Sequence, residues 1–314
     1  MQLLLTLLLI TSGLLLTNCS EKKSAGTNQK SPDALVPTEV QTKTSVFQQK
    51  WRSGGSPCQE AHYQVQSFGK NQFTIRQSKC LHYEAPFIHV IVGKDKILVM
   101  DTGAVEEKSF ELINLILDLS NEVVADHEVK ILLTHTHSHP DHTAGDQEFN
   151  QHDRVIFVSH EFDSLQSFFK FKNWPNETAT IDLGDRLIDI IPIPGHDESS
   201  LAFYDRQSQI LFTGDSLYPG RIYIQNFSDY KNSINRLVEF SKKSEIKLIL
   251  GTHIEMSQDY SKDYPPRSAY HPNEAPLELK LIDLIETHLE LKNMKPTELK
   301  KLKRLILFPN FAPQ

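Results

Sequence analysis

The chain is poor in cysteine, in tryptophan and in basic charge. Three Cys and two Trp stand among 314 residues, and 33 Lys and Arg are outnumbered by 40 Asp and Glu, for a formal charge of -7. So few cysteines exclude a disulfide-knit miniature scaffold, and the 39% hydrophobic content is ample for an ordinary core. The acidic balance repels polyanions, so nucleic acid is not an expected partner. Apolar runs of bilayer length are also missing. The longest, Leu3 to Leu16, falls short of the ~20 residues that a membrane span requires, and no repeat of solenoid period is visible.

The first 18 residues carry no charge at all, which reads as an export signal. Cys19 follows the apolar segment as the lipidated cysteine of a bacterial lipobox does, although Asn18 stands where a smaller residue is usual. The expectation is a signal peptide over 1–18, lipidation at Cys19, and a lipoprotein held to the membrane and facing the periplasm or cell exterior. Residues 19–46 are rich in Ser, Thr, Lys, Gln and Pro, the composition of a tether. Export would place the two remaining cysteines in an oxidising compartment, so Cys58 and Cys80 read as a disulfide, with two free buried thiols as the alternative.

From Tyr63 the pattern turns to short strand-like runs: YQVQSF, QFTIRQS, then FIHVIVG and KILVMDTG as a hairpin about Gly93-Lys94-Asp95. Phe110 to Leu119 is helix-periodic behind Ser109 as a cap. A strand over Val129 to Thr134, a helix from Thr143, a strand at 155–159 and a helix near Ser164 to Phe171 follow. The second half adds strands at 187–193, 201–204, 209–213 and 246–250, a helix from Ser228 to about Lys243, and a helical extension beyond Pro276. Two groups of strands with interspersed helices give a layered α/β or α+β fold with two sheets covered by helices.

Chemistry gathers at strand ends. ILVM leads to Asp101, ILLT to a crowd of imidazoles (His135, His137, His139, His142) with Asp141, DIIPIPG to His196, ILFTG to Asp215, and LILGT to His253. Groups at this density cost folding free energy unless a divalent cation gathers them. His137 and His139, two apart, point to one side of an extended segment. Pro140 then turns the chain and aims Asp141 and His142 elsewhere. One stretch can thus serve two ions, with His196, Asp215 and His253 as candidates to complete them. His135 is expected to face away, and Asp101 to orient a ligand or fix a loop. His62, His82, His89, His127, His152, His160 and His288 have no motif around them.

The run His137-Ser138-His139-Pro140-Asp141-His142 resembles the HxHxDH signature of the metallo-β-lactamase superfamily. Asp101-Thr102-Gly103, Pro194-Gly195-His196, Thr213-Gly214-Asp215 and Gly251-Thr252-His253 match its further motifs in order, over about residues 85–255. The resemblance implies a four-layer αββα sandwich as a hydrolase domain over 47–275, with a short helical extension over 276–314. It also implies two zinc ions, with iron or manganese as alternatives. His137, His139 and His196 would take the first ion, Asp141, His142 and His253 the second, and Asp215 would bridge them. A hydroxide held between the ions would attack an ester, thioester or lactone, oriented by Asp141 as the catalytic residue.

Asp215 disfavours a β-lactamase, in which cysteine is usual there, and His139 disfavours the acid of an iron-dependent oxidoreductase. A non-catalytic metal-binding or interaction protein is the other class. The loop after Asp215 supplies Tyr218, Arg221 and Tyr223 as candidate contacts to a small-molecule substrate, with Arg221 meeting a carboxylate. The polar, Pro-rich segment 255–274 is a candidate lid. Oligomeric state is not readable from the sequence.

Overall fold

The computed structural model describes residues 47–124 and 128–309. The expected export signal, Cys19, the tether up to Val46 and His127 lie outside the described residues. Strands β1 (Tyr63–Ser67), β2 (Gln72–Gln77), β3 (Phe87–Val92), β4 (Lys96–Met100), β5 (Lys130–Thr134) and β6 (Val155–Phe157) form one sheet in chain order. The second contains β7 (Ala179–Asp182), β8 (Leu187–Pro192), β9 (Leu201–Asp205), β10 (Ile210–Gly214), β12 (Leu248–Gly251) and β13 (Glu278–Leu279), in the order β13-β12-β10-β9-β8-β7. A three-stranded sheet places β15 (Ile306–Pro309) between β11 (Arg221–Ile224) and β14 (Lys300–Lys301).

Alternation along the strands makes the layers. In β3, Phe87 and Ile91 join Leu98, Leu132, Ile190, Phe203 and Phe212 in the cluster between the two large sheets. Ile88, Val90 and Val92 face the other way, against Leu112, Ile113 and Ile116 of α1 (Ser109–Asn121) and Phe149 of α3 (Asp146–Asn150). On the second sheet Leu211 and Ile249 meet Tyr230, Ile234 and Leu237 of α5 (Phe227–Ser241) and Leu284 and Leu291 of α6 (Leu281–Asn293). This is the four-layer αββα sandwich. His89 lies in the middle layer, its Nε2 3.1 Å from the Gly251 carbonyl and its pKa pushed down to about 4 by burial, so a neutral ring joins the sheets.

Several elements differ from expectation for identifiable reasons. The helix expected from Thr143 is two short pieces, α2 (Pro140–Thr143) and α3, parted at Gly145. A β-carbon at Gly145 would lie 2.9 Å from the Thr102 carbonyl oxygen, so the chain passes too close to β4 for one continuous helix. The helix expected near Ser164 is α4 (Phe162–Phe169). Ser109 opens α1 rather than capping it, and Asn226, not Ser228, caps α5 by accepting from the Asp229 amide at 3.1 Å. Beyond Pro276 the described residues hold one helix, α6, and the strands β13, β14 and β15, which weave the extension into the sheets. Strand β11, read as a loop, exists through parallel pairing with β15, a partner too distant in sequence for any local pattern to announce. No helix among the described residues is long and apolar enough to cross a membrane.

Cys58 and Cys80 are joined as a disulfide, with Cα atoms 5.6 Å apart. It ties the segment before β1 to the loop between β2 and β3.

Candidate metal centre

Strands β4 and β5 run parallel, and β8, β10 and β12 share one direction in the opposite sheet. Their C-terminal ends meet at one edge of the sandwich, and all the strand-end groups singled out above arrive there. His139 is extended (φ -67, ψ 149) and Pro140 opens α2, so one turn of helix swings Asp141 and His142 away from the preceding histidines. Gly195, at φ 136, precedes His196 where a β-carbon would lie 2.3 Å from the Tyr230 amide nitrogen. Only glycine lets the chain pass α5 and present that histidine.

Two sets of donors result. His137 Nε2 and His139 Nδ1 are 3.1 Å apart, and His196 Nε2 lies 3.2 Å from the first and 3.1 Å from the second. In the other set Asp141 Oδ2 is 3.2 Å from both His142 Nε2 and His253 Nε2, and those nitrogens are 3.4 Å apart. Asp215 spans the two, with Oδ1 3.3 Å from His253 Nε2 and Oδ2 3.7 Å from His196 Nε2. Each ring nitrogen has a single in-plane direction, so three imidazoles cannot satisfy one another around a triangle. They point at a shared centre instead. Four ligands about 2.0–2.1 Å from a tetrahedral ion stand roughly 3.3–3.4 Å apart, close to these separations. The donor chemistry and spacing therefore fit divalent cations, and both sets are candidate metal-binding groups.

The outward nitrogens are held by the protein. His142 Nδ1 donates to Asp101 Oδ2 at 2.9 Å, and Asp101 in turn accepts from the Thr136 amide and hydroxyl at 2.7 and 2.9 Å. His196 Nδ1 donates to the Tyr223 carbonyl at 2.7 Å and His253 Nδ1 to the Glu84 carbonyl at 3.3 Å. His137 Nδ1 is 3.1 Å from the Thr136 hydroxyl, and His139 Nε2 lies 3.0 Å from the Gln225 side-chain amide. Such partners fix ring orientation and tautomer. Burial pushes the His137 and His196 pKa values down, and neighbouring imidazoles push the same way. Burial also opposes charge on His142 and His253, but Asp141, Asp101 and Asp215 outweigh it at His142, and Asp215 and Asp141 at His253, holding both well above the usual range. The same imidazoles keep Asp141 and Asp215 well below the usual carboxylate range against the effect of burial.

His135 belongs to neither set. Its Nε2 donates to Asp146 Oδ1 at 2.8 Å, while His160 Nδ1 lies 3.0 Å from Asp146 Oδ2, a half-buried clasp joining the ends of β5 and β6 to the start of α3.

The donor sets form the floor of a cleft of about 660 Å³. Of the three expected substrate contacts, Tyr218 is buried, its hydroxyl donating to the Arg221 carbonyl. Arg221 lines the cleft as well. Its guanidinium donates to Glu255 Oε1 at 2.5 Å, Asp263 Oδ2 at 2.7 Å, the Tyr264 carbonyl at 2.6 Å and the Tyr223 hydroxyl at 3.0 Å, so it binds the wall together. Tyr223 does line the cleft. Sequence reading missed Tyr83, Arg267 and Phe308 on the walls, and Gln225 behind His139. The segment 255–274 is a fixed wall rather than a free lid, since Glu255 holds Arg221 and Glu274 makes a bidentate pair with buried Arg76 at 2.5 and 2.7 Å.

A family model described as the metallo-beta-lactamase superfamily matches residues 84–253. The acyl-coenzyme A thioesterase MBLAC2 of Gallus gallus is 36% identical over 84 residues, covering 26% of this chain and 30% of that protein. Its Homo sapiens counterpart is 24% identical over 233 residues, covering 61% and 81%. A hydroxyacylglutathione hydrolase of Erythrobacter litoralis (strain HTCC2594) is 26% identical over 106 residues, 32% of this chain and 41% of that one. Among solved structures, a metallo-beta-lactamase from Pontibacter korlensis superposes with a TM-score of 0.51 at 18% identity, covering 74% of this chain and all of that one, a likeness of fold alone. The family match takes in more than half of the chain, including every donor of both sets: the protein belongs to the metallo-beta-lactamase superfamily and is a hydrolase of that fold.

Proposed function

We propose that the protein is a dinuclear metal-dependent thioesterase. The observation that carries this reading is the pair of convergent donor sets bridged by Asp215 at the floor of an open cleft. Relatives named as an acyl-coenzyme A thioesterase and a hydroxyacylglutathione hydrolase both act on thioesters, which favours that bond over the ester or lactone also consistent with the fold. His137, His139 and His196 would hold one ion, Asp141, His142 and His253 the other, with Asp215 between them; zinc suits the imidazole-rich donors. When bound, such ions supply activation of water at neutral pH and polarisation of a carbonyl oxygen.

The chain's own residues do the rest. Asp141, the one carboxylate of the HxHxDH run, faces the cleft and is placed to orient the attacking water and take its proton at Oδ. The Asp101–Thr136 pair locks the His142 ring, and the Tyr223 and Glu84 carbonyls lock His196 and His253, so that no reorganisation is needed during reaction. As the C–S bond breaks, the sulfur would leave with the bonding pair, take the proton held at Asp141 and depart as a neutral thiol through the open side of the cleft. In the same reading Cys19 is lipidated after export and anchors the enzyme to a membrane. Labelling of the chain by a fatty-acid analogue, lost in Cys19→Ser, tests that part.

The chemistry is tested by replacing Asp141 with Asn in metal-loaded protein. Loss of acyl-thioester turnover of about a thousandfold or more, with fold and the His137 set's metal retained, is expected. Undiminished turnover would remove Asp141 from the mechanism.

A further inference from the structure

The C-terminal strand builds one wall of the cleft, and its side chain there is a phenyl ring. Strand β15 pairs in parallel with β11, placing Phe308 opposite Tyr223, and the two ring centroids are 5.7 Å apart. Both rings are half-buried and both line the cleft. The wall adjoins the floor directly, because the Tyr223 carbonyl is the group that accepts from His196 Nδ1 at 2.7 Å. Pro140, exposed beside His139, and Pro266 continue the apolar lining.

Of the two arginines on this lining, one is turned into the wall. The Arg221 guanidinium is turned into Glu255, Asp263 and the Tyr264 carbonyl. Buried Lys79 donates to the Tyr83 carbonyl at 2.9 Å, and burial pushes its pKa down to about 8. The exposed charge on the lining is Arg267. A surface of rings and prolines next to the reacting centre rewards methylene groups.

We propose that the Tyr223–Phe308 shelf is the acyl-binding wall, with Phe308 the specificity-determining residue. The substrate class is then a thioester of an apolar acyl group, selected through the acyl half rather than the thiol carrier. This rests on the thioesterase reading above.

The test is a chain-length series, acetyl, butyryl and hexanoyl, presented as thioesters of both coenzyme A and N-acetylcysteamine to metal-loaded enzyme. A fully buried methylene contributes about fourfold, so a partly covering shelf should raise kcat/KM about tenfold or more from acetyl to hexanoyl, alike on both carriers. Phe308→Ala should flatten that slope to within about twofold, while Phe308→Leu keeps most of it. The slope is a ratio measured within one preparation, so it is unaffected if a variant folds only in part. Turnover with no chain-length preference, or a slope that survives Phe308→Ala, overturns the inference and leaves the thioesterase reading standing. Failure to hydrolyse any thioester instead overturns that reading. In that case calorimetric binding of a non-hydrolysable S-hexyl against S-methyl thioether still decides the shelf: at least tenfold tighter hexyl binding that Phe308→Ala removes supports it, and equal binding overturns it.

Discussion

The floor and the walls of the cleft are built in opposite ways. The floor takes four of its seven donors from the six residues 137–142, and each of the others follows a strand within four residues, behind a glycine or Gly-Thr step. The walls take Tyr83 from the β2–β3 loop, Tyr223 from β11, Arg267 from the 255–274 segment and Phe308 from β15, segments that meet only in the folded chain. A metal demands fixed donor types at fixed spacing, whereas an apolar wall asks only for rings from anywhere. The two parts should therefore respond differently to substitution.

The largest expected effect is on the floor. His139→Ala or Asp141→Asn should cost about a thousandfold or more in turnover, with little change in resistance to denaturant once the remaining metal is accounted for. Kinetics and elemental analysis on the same sample read both quantities, and near-normal turnover in either variant would erase the distinction between floor and wall. Next comes the hidden structure of the wall. Arg221→Met strands Glu255, whose carboxyl burial already pushes up, together with Asp263, and should destabilise the fold by about 3–5 kcal/mol in chemical denaturation. A change below about 1 kcal/mol would return Arg221 to the role of a substrate contact.

A smaller effect is expected behind the floor. Asp101→Asn keeps the shape but weakens the hold on His142, which should lower metal affinity about 10–100-fold by competition titration without unfolding the protein. The smallest concerns the His135–Asp146–His160 clasp. Burial works against the Asp146 anion, yet hydrogen bonds from His135 and His160 hold its pKa down at about 2. A carboxyl depressed in the folded state stabilises above its unfolded pKa near 4, and that contribution fades as pH falls from about 4 toward 2. Asp146→Asn should thus cost about 1–2 kcal/mol at neutral pH, with the deficit shrinking on acidification over that window in parallel denaturation curves. A deficit independent of pH would mean that the clasp acts by packing alone.

The same contrast explains what the sequence disclosed. Two sheets covered by helices were readable because the strands fall into two groups with helices between them, the αββα order followed from the family resemblance, and the donor positions were readable because each follows an apolar run. The ion pairs of Arg221 were not legible because its partners, Glu255 and Asp263, lie far along the chain, and a lone cation in an aromatic loop looks free until they arrive. Strands β11 and β15 define each other, so neither had a local signature, and Phe308 was hidden with them. Gln225 carried no motif at all. It matters only because His139 turns its Nε2 toward that amide.

The most direct test of the metal-dependent thioesterase reading is the turnover of an acyl thioester by purified protein before chelation, after chelation and after zinc is restored. The expected result is hydrolysis that falls at least a hundredfold on removal of the metal and returns as about two ions per chain are replaced. Hydrolysis that persists in protein stripped of metal, or none in protein carrying two ions, would contradict it.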